Sequence, residues 1–233
     1  MKQSILVLSA AILLTAVCLS ACGNDGEVAS KLTGQEARDV FDSASHIQLT
    51  GDVDDVNTFS DVFADGQNVG EVKEHGFFNG RITYSVDGEE QFYVTYASTQ
   101  DISEAEDERF PCSTTYVYYD MDGACLGYAQ DRVLFKDKDS WYVMTFLEPD
   151  GTMKDYYVEA NDSLGHEWAK SNAAIRNMDR EQVGTVGLNL TNAITDSFAI
   201  DIDLGEAADE LSEMDLVAIY WRCVQEMTDF YLD

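Results

Sequence analysis

From residue 46 to about 160 the chain keeps returning to one phrase: a short run of alternating aromatic and branched side chains, then a turn built on Asp-Gly. Ile82, Tyr84 and Val86 alternate up to Asp87-Gly88, a two-residue hairpin signal, and Gln91 to Tyr96 returns. Thr115 to Tyr119 runs to Asp120-Met121-Asp122-Gly123. Trp141 to Leu147 enters Glu148-Pro149-Asp150-Gly151, where Pro presets the backbone and Gly accepts a positive φ, and Lys154 to Ala160 returns. Period-two alternation gives each run one face for a core. Strands joined by tight turns at this spacing predict an antiparallel meander. The acidic stretch from Asp101 to Glu108 interrupts it as a solvated loop.

Helical signals flank the meander. Thr33 and Glu36 have capping-box spacing, and Ala37, Val40, Phe41 and Ala44 follow at helical intervals, so a helix is expected over about 34–45. Ile47, Leu49 and Val53 then alternate as a strand. After residue 162 the character changes. Trp168, Ala169, Ala173, Ile175 and Met178 fit one helix face, while 186–190 and 198–202 read as strands. At the C-terminus Leu211, Met214, Val217 or Ala218, Trp221, Val224, Met227 and Tyr231 form a stripe. Asp203 and Glu206 are its candidate caps, with Asp209 and Glu210 suiting a positive helix N-terminus. The stripe is a core face or a partner-binding face. The expected fold class is α+β: a curved antiparallel meander with an N-terminal helix and a long amphipathic C-terminal helix. Residues 33–233 are expected to form one domain, with a possible subdivision near 162.

The N-terminus carries an address. Lys2 precedes an apolar run from Ile5 to Val17, too short for a membrane span, which takes about 20 residues. Small residues follow, as in a secretory signal. Leu19-Ser20-Ala21-Cys22 resembles the lipobox of bacterial lipoproteins. The resemblance implies cleavage between Ala21 and Cys22, removal of a signal peptide over 1–21, and acylation of Cys22. It also implies anchoring on the extracytoplasmic face of the cell membrane through residues 22–32 as a polar tether. Two or more acyl chains give stable anchoring where one does not.

Charge narrows the partners. The chain has 14 basic and 44 acidic residues, a formal net charge of −30. Nucleic-acid binding rests on basic side chains neutralising phosphates, so no nucleic-acid partner is expected. The acidity serves solubility, or it attracts cations or a basic partner. Of five cysteines, Cys18 leaves with the signal and Cys22 is the lipid site, leaving Cys112, Cys125 and Cys223. A hairpin around Asp122-Gly123 sets Cys125 opposite Asp120, roughly 26 Å from Cys112 at strand rise. A disulfide needs Cα atoms within about 7 Å. Hairpin and disulfide are therefore competing expectations, and the three thiols read first as small buried residues.

Chemistry-bearing patterns are sparse. His46, His75 and His166 are not at zinc-ligand spacing. No G-x-S-x-G, glycine-rich phosphate loop or Cys–His arrangement stands out, so no catalytic residue, metal site or cofactor is assigned and no enzyme activity is expected. The segment 51–57 opens with EF-hand-like aspartates but fails at ligand positions five and twelve and at the glycine position. Asp120, Asp122, Asp137 and Asp139 read as turn residues, with weak calcium binding left open.

Phe41-Asp42-Ser43-Ala44-Ser45, followed by His46-Ile47-Gln48-Leu49-Thr50-Gly51, resembles the opening of the LppX/LolA-like lipoproteins, as do the 80–83 strand, the Asp87-Gly88 turn and Phe92-Tyr93-Val94. That resemblance implies a curved antiparallel sheet with helices over its concave side and a lipid or acyl ligand between them. It supports a binding or carrier module for an apolar ligand, with Tyr116, Tyr118, Trp141, Tyr142, Phe146, Tyr156 and Tyr157 as more aromatics than one core needs. The alternative is an acidic surface module recognising another envelope protein.

Overall fold

The computed structural model describes residues 32, 34–52, 59–75, 80–97, 112–136, 139–160, 172–192 and 197–231. Helix α1 (Gly34–Asp42) leads into strand β1 (His46–Asp52), followed by β2 (Phe59–Ala64), β3 (Gln67–His75), β4 (Arg81–Val86) and β5 (Glu89–Ala97). Next come β6 (Cys112–Asp120), β7 (Cys125–Lys136), β8 (Asp139–Leu147) and β9 (Met153–Ala160). Then follow β10 (Ala173–Asn177), β11 (Gln182–Asn192), β12 (Ser197–Asp203), a 3₁₀ turn (Gly205–Ala207) and helix α2 (Glu213–Tyr231).

The meander is present, and it closes. Every strand pairs antiparallel with its sequence neighbour, and β1 pairs with β12 from His46↔Asp203 to Asp52↔Ser197, giving a closed twelve-stranded barrel. This corrects the expected open α+β sheet with covering helices. Closure removes both edges of the sheet, so no edge strand needs a covering helix. The 168–178 helix is also overturned in its described part. Ala173–Asn177 is strand β10, paired on both sides, and Met178 lies in the turn to β11. Branched Ile175 at full burial suits the pleated wall as well as a helix face.

Barrel diameter grows roughly in proportion to strand number, and about eight strands already leave an interior that side chains fill. Twelve strands leave room for a helix about 10–12 Å wide. Helix α2, about 28 Å long, occupies that space. It touches strands around the whole circumference: Tyr220 reaches Ser60 of β2, Trp221 packs on Tyr96 of β5, Lys154 of β9 pairs with Asp215, and Phe198 of β12 meets Tyr220. Every residue from Asp215 to Trp221 is buried. The amphipathic stripe expected at the C-terminus is therefore corrected: a helix surrounded by wall is buried on all sides.

The inward face of the wall is apolar, while the outward face mixes polar side chains with buried apolar ones such as Val117, Val143, Leu147, Tyr157 and Ala174. Ile47, Leu49, Val72, Ile82, Met144 and Ile200 face the lumen, whereas Gln48, Lys73, Arg81, Gln130, Arg176 and Asp201 point outward. No described helix is long and apolar enough to cross a membrane.

The described turns at 65–66, 87–88, 121–124, 148–152 and 178–181 fall at the barrel end where β1 begins. Helix α1 covers this end, burying Ala37 and Phe41, whose ring meets Tyr84 edge-on at 6.2 Å. Helix α2 enters the lumen here and runs toward the opposite end. The predicted β6–β7 hairpin forms with a one-residue difference. Cys125 pairs with Tyr119, not Asp120, because a register shift falls between Tyr118 and Tyr119, while Cys112 pairs with Arg132. Cys125 is half-buried and Cys223 buried, and neither is in a disulfide.

Candidate functional site

The polar groups inside an apolar barrel are the places to look for chemistry, because a buried polar atom needs a partner. The first cluster holds the entry of α2. Ser212 and Asp215 form its cap: Asp215 Oδ2 accepts from the Ser212 backbone N–H and hydroxyl at 2.8 Å each, and the Asp215 N–H donates back to Ser212 Oγ at 3.4 Å. This replaces Asp203 and Glu206 as the expected caps. Asp203 instead accepts from Gly205 N–H at the 3₁₀ turn, 3.2 Å away. Lys154 Nζ donates to Asp215 Oδ2 at 2.7 Å and to the Glu210 carbonyl at 3.2 Å, and Tyr118 O–H donates to Asp215 Oδ1 at 3.2 Å. Burial and the Asp215 charge hold the Tyr118 phenol well above its usual pKa, so it stays a donor. With four donors already on one carboxylate, this cluster anchors the helix and offers no open position for a substrate.

Further along, Arg222 pairs with Asp131 of β7 at 3.2 Å. Burial pushes Asp131 up to about 6, against the lowering effect of Arg222. Glu213, facing α1, is pushed up to about 7 by burial and by the charge of Asp42, with Arg38 opposing.

The third cluster lies at the barrel end opposite the start of β1, where the lumen meets the outside. Trp221 stacks at 4.4 Å on Tyr96 and at 5.7 Å on Tyr116, and Tyr96 lies 5.3 Å from Tyr116. Trp221 and Tyr116 are buried, whereas Tyr96 is 37% exposed. Gly80 sits under the Tyr96 ring, and a Cβ there would come within 2.7 Å of it. Beside this rim, Tyr220 and Ser60 share a hydrogen bond of 2.6 Å. Glu74 also points inward from β3. Burial raises its pKa, and the nearby Trp221 indole N–H, itself without a hydrogen-bond partner within normal distance, works against that rise. The rim is thus an aromatic surface with one acid, reaching from the core to solvent.

This places several sequence expectations. Ala21, Cys22, Thr33, His166 and Asp137 lie outside the described residues. His46 is at the helix-to-strand joint, exposed, 3.6 Å from Asp201. His75 ends β3. Asp120 is a turn residue, accepting from the N–H groups of Asp122 and Ala124 at 3.0 and 2.7 Å. Among the described residues no three His, Cys, Asp or Glu side chains cluster as a metal site. Tyr116, Tyr118 and Phe146 face the lumen, while Tyr157 faces outward. The hollow that the LppX/LolA resemblance implies for a ligand is filled here by α2. Neither Glu74 nor Tyr96 stood out in the sequence, although alternation with Val72 and Val94 put both on the inward face. Comparison with protein-family models, with curated proteins and with solved structures finds no match to this chain.

Proposed function

We propose that the chain is an extracytoplasmic lipoprotein, anchored by acyl chains on Cys22, whose barrel is a non-enzymatic binding or carrier module for an apolar ligand or lipid. The observation that carries the binding half is the rim: Tyr96, exposed over buried Trp221 and Tyr116, extends the apolar lumen to the surface at one end. A β-barrel with an apolar interior is a scaffold on which such binding is common. Because α2 fills the lumen, the ligand engages the rim beside Trp221 and does not enter an empty cavity. The test is native mass spectrometry of residues 24–233 purified from their own host, followed by titration with a fluorescent fatty-acid probe. A co-purifying apolar molecule, and probe affinity lowered about tenfold or more by Tyr96→Ala, support the reading. Absence of both overturns it.

The acidic exterior favours a second reading, an envelope-protein interaction module. Asp61, Glu89, Glu90, Asp155 and Asp203 are exposed on the wall or its turns, within a net charge of −30. That reading requires a captured envelope partner at low salt that is released at high salt, since screening is strong at physiological ionic strength.

A further inference from the structure

The outer wall of β3 and β4 carries a feature at odds with the rest of the surface. His75 pairs with Arg81 across these strands and Lys73 with Thr83, and all four side chains point away from the lumen because Val72, Glu74, Ile82 and Tyr84 point into it. Cross-strand partners stand about 4.5–5.5 Å apart at Cβ, and same-face neighbours along a strand about 7 Å apart. The four groups therefore share one small square. In a chain with only 14 Lys and Arg against 44 Asp and Glu, two of the basic residues, Lys73 and Arg81, meet a histidine on it.

Three of its polar atoms are buried without a hydrogen-bond partner: His75 Nε2, Arg81 Nε and Thr83 Oγ1. Thr83 is only 1% exposed. The rest of the Arg81 guanidinium is engaged, with Nη2 3.4 Å from Glu90 and Cζ 4.1 Å over the Tyr93 ring. These contacts fix the guanidinium plane and leave Nε–H buried without a hydrogen-bond partner. His75 titrates below its ordinary value, first through burial and then through the positive charges of Lys73 and Arg81, with Glu90 opposing. The ring thus feels a local positive field. Buried donors in such a field are what an oxyanion requires: charge-assisted N–H and O–H bonds to several oxygens from non-coplanar directions.

We propose that Arg81, His75 and Thr83, with Lys73 adding charge, form a binding site for a phosphate-type oxyanion on the outer wall of the barrel. His75 donates through Nε2, in the tautomer or protonation state that carries a proton there, and Thr83 donates its hydroxyl. The site faces away from the lumen and does not depend on the apolar-ligand reading. The oxyanion is either free phosphate or the terminal phosphate of a lipid headgroup.

The test follows the histidine ring resonances of the detergent-solubilised full chain by NMR. One arm adds inorganic phosphate. The other uses mixed micelles holding phosphatidic acid, with diacylglycerol micelles as reference. Expected is a saturable shift of His75 with no comparable shift of His46. Thr83→Val, which keeps shape and removes the donor, and Arg81→Gln should each weaken binding about tenfold or more, while Arg176→Gln on another wall leaves it unchanged. Saturation by free phosphate assigns that source, and saturation only by phosphatidic acid assigns the headgroup. No saturable His75 shift in either arm, or wild-type binding by both Thr83→Val and Arg81→Gln, overturns the proposal.

Discussion

Single buried charges decide how α2 is held. Asp215 is fully buried with Lys154 and Tyr118 as partners from two different strands. Removing one member of a buried ion pair leaves the other uncompensated, which costs about 3–5 kcal/mol. Asp215→Ala should lose that much in urea unfolding, and Tyr118→Phe only about 1 kcal/mol, the net worth of one hydrogen bond. Asp131 and Glu213 make a prediction with the opposite sign from ordinary acid denaturation. Both are carboxyls whose pKa is raised on folding, to about 6 and about 7. Between their ordinary values near 4 and these raised ones, the folded state holds more protons than the unfolded state. Linkage then makes their contribution fall as pH rises through that window. Stability measured from pH 4 to pH 7 should decline less steeply in Glu213→Gln than in the wild-type chain. An unchanged slope would show that burial of this carboxyl does not carry over to its titration.

At the scale of elements, the crossing from wall to lumen is the tightest joint. Gly205 follows β12 at φ +52°, and a Cβ there would fall 1.7 Å from the Val183 carbonyl oxygen. Gly88, in the β4–β5 turn, also has positive φ (+78°) but open space around it. The left-handed conformation alone costs a non-glycine residue about 1–2 kcal/mol. Gly88→Ala should therefore cost about that, and Gly205→Ala distinctly more, because the wall must also move. Thermal unfolding of the two variants separates conformational cost from close approach, and equal losses would refute the tight-joint account. The same joint explains why the sequence misplaces the cap of α2. The acids at 203–210 serve the 3₁₀ turn or lie exposed, and the S-x-x-D phrase at Ser212 and Asp215 starts the helix. Helix α2 is itself the largest single block of the lumen. Trp221→Ala, which empties a fully enclosed aromatic site, should cost about 3–5 kcal/mol in denaturant unfolding.

For the molecule as a whole, the proposed attachment to a membrane lies outside the barrel, at Cys22. With Cys22 acylated, the full chain should partition into the detergent phase of a cloud-point separation, and Cys22→Ala should move it to the aqueous phase. Equal partitioning of both would remove the lipid anchor from the proposed function. Barrel closure also ties β1 to β12 across most of the chain. Such non-local pairing folds slowly, on the scale of milliseconds to seconds or longer.

Although β2 and β3 went unread and Ala173–Asn177 reads as helix, several strands and turns were legible residue by residue, because period-two alternation and Asp-Gly punctuation act locally: the 81–86 and 89–97 hairpin and the strands before and after Pro149 follow directly from them. So was the apolar character of 211–224, since its side chains carry it in any fold. Whether the meander stays open or closes, and whether the last helix lies on a sheet or inside a barrel, is decided by pairings such as Ile47↔Ile202 that no local pattern encodes. The same closure sets Lys154 and Tyr118 on Asp215 and gathers Lys73, His75, Arg81 and Thr83 on one wall. Sequence determines which faces are apolar, because that is a property of residues. Only tertiary structure decides what those faces enclose, because that depends on which distant strands meet.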